Sequence, residues 1–442
     1  MASKPRIIVK FRPDQITIPY QDAAEQVLPE FAVLAWQQLT SQFPGAVLSL
    51  NRLMTSQTAD QIAALLDTAR NRSGQEPPNL LSLMAIDFNG LVDSQALVTA
   101  VRALPFVEFA YEESPLAPAS VDPSDDPLAP LQAYLLPAPF GIDAFFAWSL
   151  AGSDGANVKF VDIERGWQLT HEDLKGANIV ELNTGVPAEI GHSTACLGIV
   201  LAQDNDKGIV GIAPKVKGAI VSSIMPSLPD AFLLTVGFLE AGDVLLIEEQ
   251  TVDGKPVEMD PHIALLIRAL TLLGIVVIEP AGNGIPAVIG GPNVGHDLNL
   301  ALRPDGTSLD RGMFNFVDSG AIMGGARQSA ARAITLFSCF GTRVDCHAWG
   351  EGIVTTSSVA GPFGPYMGLN PLAGDTGFGG TSGASAIIAG TAVVLQGIAR
   401  ARGTPLTSTR MRELLSGSFN TGTDNPDNIS TMPNLREAVT RI

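Results

Sequence analysis

The chain has 442 residues, 46% of them hydrophobic and only 16% charged, enough apolar material for a large core spread over two or three domains. Acidic residues outnumber basic ones 45 to 27, for a formal net charge of −18. That balance argues against nucleic acid or an anionic membrane surface as a partner. Three cysteines, Cys196, Cys339 and Cys346, are too few for a disulfide framework. Cys339 and Cys346 would pair in an oxidising compartment; two reduced core thiols are the default reading. The N-terminal residues MASKPRIIVKFRPD are charged throughout and lack an apolar signal core. The default expectation is a cytoplasmic protein, with export by another route left open.

In chain order, RIIVKF at 6–11 reads as a strand and 22–43 as a helix. A helix follows at 59–72, a strand at 80–88, a helix at 94–104 and a strand at 107–111. Residues 1–113 thus form a small α+β domain. Proline then recurs among clustered acids (SPLAPASVDPSDDPLAPLQAYLLPAP, 114–139), and residues 114–134 read as an extended linker.

From 135 to 442 strands and helices alternate. Strands are expected at 157–161, 217–222, 244–247 and 275–278, and helices at 192–203, 229–241 and 262–273. This order implies an α/β fold, a mostly parallel sheet with helices on both faces. Such sheets place their chemistry just beyond the C-terminal ends of strands, where Asp162 and Asn283 fall. Two apolar stretches read as core rather than membrane spans. Residues 262–278 carry His262 and Arg268 and are split by Gly274; residues 384–399 are rich in small residues.

The stretch GGTSGASAIIAGTAVVLQGIAR (379–400) reads as a glycine-rich turn feeding a buried helix. Ser382 stands in that turn, where unpaired backbone N–H groups and the positive end of the helix face it. By itself this is either a nucleophile or an ordinary turn before a core helix. It needs a base, an acid to orient that base, and an oxyanion donor.

Four segments supply them in register: NVKFVDIERGWQLTHEDL, GHSTACLGIV, GIVVIEPAGN and GGTSGASAIIAG. Together they resemble the catalytic blocks of the subtilisin-like serine proteases, with Asp162, His192, Asn283 and Ser382 in the family's order. DNDKGIVGIAP (204–214) and FSCFGTRVDCHAWG (337–350) resemble further family text. The resemblance runs from about 135 to the end. It implies a serine endopeptidase with Ser382 as nucleophile, His192 as base, Asp162 as orienting acid and Asn283 in the oxyanion hole. The sedolisins carry a similar serine motif on a similar fold, but use Glu for the His and Asp for the Asn; His192 and Asn283 favour the subtilisin-like branch.

The resemblance also implies roles elsewhere. Glu248, Glu249, Gln250, Ala281 and Gly282 fall where the family binds extended substrate. The two acids read either as a solvated edge or as a preference for basic substrate side chains. Cys196, one helical turn after His192, reads as a buried small residue beneath the imidazole, with a catalytic role as the alternative; either would allow mercurial sensitivity. No cofactor is required and no catalytic metal is implied. Calcium is the one ion the resemblance allows, with Asp173 and Asn205 where a site would draw ligands. The first domain resembles an inhibitory prodomain, most closely over SQALVTAVRALPFVEFAYEE, so the partners expected are a protein or peptide substrate and the chain's own N-terminal domain. The expected product is a zymogen cut within 114–134.

Several positions depart from the family pattern. Ala386 replaces the proline four residues after the serine. Ser193 stands beside His192 where glycine is usual. IERGW follows Asp162, with two residues too many before HEDL. Glu279 and Pro280 precede Ala281-Gly282-Asn283. These departures support a competing class, a pseudoprotease that binds peptides or partners on the same fold.

Overall fold

The computed structural model describes residues 6–89, 92–113, 121–183, 187–224, 226–286, 291–330, 333–417, 420 and 431–442. It divides into two compact units, Met1–Leu116 and Ala117–Ile442.

The first unit is a four-stranded antiparallel sheet of β1 (Arg6–Phe11), β2 (Leu48–Arg52), β3 (Leu83–Phe88) and β4 (Val107–Glu112), in the order β2-β3-β1-β4. Its helices are α1 (Glu30–Ser41), α2 (Ala59–Ser73) and α3 (Ser94–Arg102). Ile7, Val9 and Phe11 of β1 alternate onto one face and pack with Leu50, Ile86, Leu97 and Val101. The helix expected over 22–43 is broken in two. Pro29 holds the preceding residue extended, so a short 3-10 turn at Ala24–Val27 stands apart from α1. Leu80–Ser82 is likewise a 3-10 turn, capped by Asn79, and the strand begins at Leu83.

The second unit opens with α4 (Ala144–Ala147) and β5 (Lys159–Glu164), then β6 (Val180–Glu181), α5 (Ile190–Leu201), β7 (Lys217–Ser222), α6 (Leu228–Val236) and β8 (Val244–Ile247). It continues with α7 (Pro261–Leu272), β9 (Val276–Pro280), the small ribbon β10 (Ile285–Pro286) and β11 (Asn293–Val294), β12 (Ile322–Arg327) and β13 (Cys346–Trp349). A second ribbon, β14 (Thr355–Thr356) and β15 (Tyr366–Met367), precedes α8 (Gly380–Ala401), α9 (Ser408–Ser416) and α10 (Leu435–Val439). Seven strands form one parallel sheet in the order β13-β12-β9-β8-β5-β7-β6. Phe160, Ile220, Leu246 and Ile278 point to the face covered by α5 and α8; Val161, Ile163, Leu245 and Val277 point to the face covered by α6 and α7.

Two features of this sheet bear on the site. β5 runs three residues beyond the expected end at 161, so Asp162 lies inside the strand and Glu164 at its tip. β12 (IMGGAR) is a strand with little β-branched bulk, the feature that marks strands in sequence. Its glycines are needed: a Cβ on Gly324 would meet Ser385 of α8 at 2.6 Å, and one on Gly325 would meet His347 at 2.5 Å.

Helix α8 is long and apolar enough to cross a membrane, but its apolar window is entirely buried in the protein core. Small residues let it pack closely; a Cβ on Gly397 would come within 2.1 Å of the Gly152 carbonyl oxygen. The expected linker is shorter than its composition indicated. Val121, Asp126, Ala129, Gln132, Tyr134 and Leu135 are all buried in the second unit. Gln132 reaches the Val210 backbone with both ends of its amide. Proline and aspartate content marked this segment as extended, but its few apolar side chains suffice to dock it. Residues 114–120 lie outside the described residues.

Candidate active site

The site forms where the C-terminal ends of β5, β8 and β9 meet the N-termini of α5 and α8. Asp162 and Glu164 are two apart on β5 and share a face. Ile163 pairs with Ile247, and the Glu248 N–H donates to the Ile163 carbonyl at 3.1 Å. Glu248 therefore continues the Leu246 face, the same face as Asp162 and Glu164. All three acids point under α5 and α8.

His192 stands in the first turn of α5. Its Nδ1 is 2.9 Å from Glu164 Oε2. Because a carboxylate only accepts, Nδ1 carries the proton and Nε2 is left as the basic nitrogen. The Ser193 hydroxyl donates to the same Glu164 oxygen at 2.5 Å. Ser193 therefore anchors the acid rather than crowding the imidazole. The Phe378 ring stands edge-on to the imidazole, centroids 5.2 Å apart. Burial opposes the imidazolium, but the Glu164 carboxylate outweighs it, so the His192 pKa is raised.

Asp162, the expected partner of His192, is engaged elsewhere. It is wholly buried, and its Oδ2 accepts from the Trp167 indole N–H at 2.8 Å. Burial, then the neighbouring Glu164 charge, pushes its pKa well up. The physical reason is reach: Asp162 lies one pleat deeper than the strand tip. The spacing carried the signal, since counting back from HEDL by the family interval, without two extra residues, lands on Glu164.

At the other wall, Asn283 Oδ1 accepts from both the Thr381 N–H (2.8 Å) and the Thr381 hydroxyl (3.0 Å). That fixes the amide with Nδ2 turned the other way. In the first turn of α8, the Gly380 N–H goes to Gly350, that of Thr381 to Asn283 and that of Gly383 to Gly379. Among the described residues the Ser382 N–H has no acceptor, as a helix N-terminus allows. His192, Glu248, Gln250, Asn283, Thr381 and Ser382 line one cleft of about 280 Å³.

No protein-family model matches the chain. A stretch of 83 residues is 39% identical to subtilisin DY of Bacillus licheniformis; it covers 18% of this chain and 30% of that relative. Among solved structures, a protease of Pseudoalteromonas arctica aligns with a TM-score of 0.51 and 16% identity, over 72% of this chain and 99% of that one. The prenylagaramide maturation protease PagA aligns with a TM-score of 0.47 and 17% identity, over 67% and 96%. The chain shares the fold of the Pseudoalteromonas arctica protease and spans about 30% of the length of subtilisin DY.

Within this subtilisin-like unit, the residues expected to bind substrate divide. Gln250 lines the cleft, and its Oε1 accepts from the Asn283 N–H at 2.9 Å. Glu249 also lines it, but is held by Arg165 through two hydrogen bonds, 3.0 and 2.7 Å, and by the Ser223 hydroxyl. Glu248 is buried. Neither acid is thus offered freely to a basic substrate side chain. Ala281 is wholly buried among Leu298, Met323 and Cys339, and its neighbour Gly282 is buried too; neither lines the cleft. Glu279 faces away from the cleft, toward Arg343 and Glu258. Ala386 is buried within an unbroken α8.

All three cysteines are free and buried. Cys196 Sγ lies 4.0 Å from His192 Nδ1, and burial raises its pKa well above the ordinary thiol value. The residues expected near calcium offer oxygen only. Asp173 Oδ1, Asn205 Oδ1 and Asp126 Oδ2 are buried without hydrogen-bond partners. Asp125, Asp126 and Asp204 bring carboxylate oxygens within 4.8 Å of one another. This donor set suits a hard cation.

Proposed function

We propose that the subtilisin-like unit is a serine endopeptidase whose triad is Ser382, His192 and Glu164. The observation that carries the reading is the hydrogen bond from His192 to buried Glu164, in the same cleft as Ser382 and Asn283. His192 Nε2 takes the Ser382 proton as Oγ attacks the peptide carbonyl, then returns it to the leaving amine. Glu164 holds the tautomer and stabilises the imidazolium. The Asn283 amide and the Ser382 N–H bind the oxyanion. Ser193 donates to Glu164, which accommodates one of the departures that supported a pseudoprotease.

A fluorophosphonate probe tests this. Labelling of the wild type but not of Ser382→Ala, together with casein or peptide cleavage, is expected. No labelling, or equal labelling of both, refutes it. Catalysis needs neutral His192, so labelling falls as pH drops through its raised pKa, above the ordinary imidazole value.

The first unit acts in this reading as an inhibitory prodomain. Because residues from Val121 onward are packed in the second unit, the cut falls before Val121. N-terminal sequencing of the processed chain checks this, and Ser382→Ala stays full length if processing is autocatalytic. A calcium ion held by Asp126, Asp173, Asn205 and Asp204 would stabilise the unit. Burial pushes Asp126 and Asp173 each up to about 6, so they are fully charged only above that pH. Added calcium is expected to raise Tm more above pH 6 than below it; equal shifts on both sides count against the site.

A further inference from the structure

Glu248 is an acid the triad does not use. It is 7% exposed, directly follows β8, and lines the cleft with Ser382 and His192. Its carboxyl lies against the Ser382 side chain, yet neither oxygen makes a hydrogen bond of ordinary geometry. The groups facing it are nearly all acidic or neutral. β5 contributes Asp162 and Glu164, and Glu249 follows it in sequence. α5 contributes His192 and Cys196, α8 contributes Ser382, and Pro280 closes the wall from β9. Arg165, the nearby cation, is committed to Glu249.

Three buried carboxyls therefore share one imidazole. Among the described residues, no Lys or Arg pairs with Asp162, Glu164 or Glu248. Such a group cannot carry three charges. The three differ in their donors. Glu164 accepts from His192 and Ser193, Asp162 from Trp167, and Glu248 has only its contact with Ser382.

We propose that Glu248 is a positioning residue for Ser382 that works as a neutral acid, and that its ionisation switches the site off. This rests on the serine-hydrolase reading above. A neutral carboxyl holds the Ser382 side chain without taking its proton. An ionised one accepts the Ser382 O–H, drawing that proton away from His192 Nε2, and sets a negative charge against the forming oxyanion. Burial, then the Glu164 and Asp162 charges, pushes the Glu248 pKa well up, in accord with this geometry.

The experiment measures the fluorophosphonate labelling rate of the full chain across the acid-to-alkaline range. The wild type gives a bell, with His192 on the acid limb and Glu248 on the alkaline limb. Glu248→Gln, neutral at every pH, keeps the acid limb and moves the alkaline limb up by at least about one pH unit, roughly tenfold faster labelling at high pH. Glu248→Asp keeps an alkaline limb. Glu248→Ala loses about tenfold near the optimum, and Glu248→Gln restores it. An infrared band of a protonated carboxyl at neutral pH, lost in Glu248→Gln, reports the neutral acid without any turnover. A wild-type alkaline limb in Glu248→Gln, an unaltered Glu248→Ala, or no such band overturns the proposal. A band with no labelling of the wild type at any pH instead refutes the serine-hydrolase reading, and the positioning role with it.

Discussion

Two groups of buried acids lie on the second unit's sheet, and they are provisioned in opposite ways. On one face, Asp162, Glu164 and Glu248 have a single imidazole. On the other, Glu258, Glu279 and Asp345 surround Arg343. Its guanidinium reaches Glu258 at 2.6 Å and Asp345 at 2.9 Å, and bonds the Ala321 carbonyl at 3.1 Å. Arg311 and Arg412 add contacts to Asp345 at 2.6 and 2.7 Å, and Arg303 lies 3.4 Å from Glu258. Those arginines hold Glu258 and Asp345 below their usual range against the pull of burial; Glu279, beside Glu258, is pushed up instead. A buried acid with its own cation is a fixed structural tie. Under the cleft the acids have the His192 imidazole and, among the described residues, no Lys or Arg pair.

The contrast can be broken from either side. The largest effect is expected from Glu164→Gln, which leaves His192 without its acceptor. Labelling should fall by about 10⁴, the magnitude known for the acid of a serine triad, while the thermal midpoint changes little. Retained labelling would remove Glu164 from the triad. Next is Arg343→Met, which strands Glu258 and Asp345. About 3–5 kcal/mol of stability should be lost in denaturant unfolding, with the His192 limb of the pH profile unmoved in the folded fraction. Ser193→Ala removes one hydrogen bond to a charged carboxylate and should slow labelling about tenfold. Asp162→Asn is expected to do least. It keeps the side chain's shape and an acceptor for Trp167 at an acid whose charge burial disfavours, and labelling should stay within about threefold, near the scatter of a typical neutral substitution. A loss as large as that of Glu164→Gln would restore Asp162 to the triad and reverse the assignment.

Much of the site was legible in the letters. His192, Asn283 and Ser382 stood out because their short blocks, taken together in order, resemble those of the subtilisin-like serine proteases. Glu164 did not, because choosing between two acids two residues apart requires knowing where the strand ends. β5 continues past the expected boundary because Glu164 still pairs with Ser222 of β7, a partner 58 positions away in the chain (222 minus 164). The same limit hid the docking of 121–135, whose sparse apolar residues find their pockets only across the fold. Ala281 and Gly282 were assigned to substrate by family position, and the close packing with Met323 and Cys339 removes them from the cleft.

The four-block resemblance singled out His192, Asn283 and Ser382; the sequence by itself determined the alternation of strands and helices, the parallel sheet it implies, and the buried helix after Ser382. These follow from periodicity and turn chemistry, which act over a few residues. Tertiary structure alone decided how each buried acid is partnered. Those partners come from distant elements: Arg343 to Glu258 and Asp345, His192 to Glu164, and only the Ser382 side chain to Glu248.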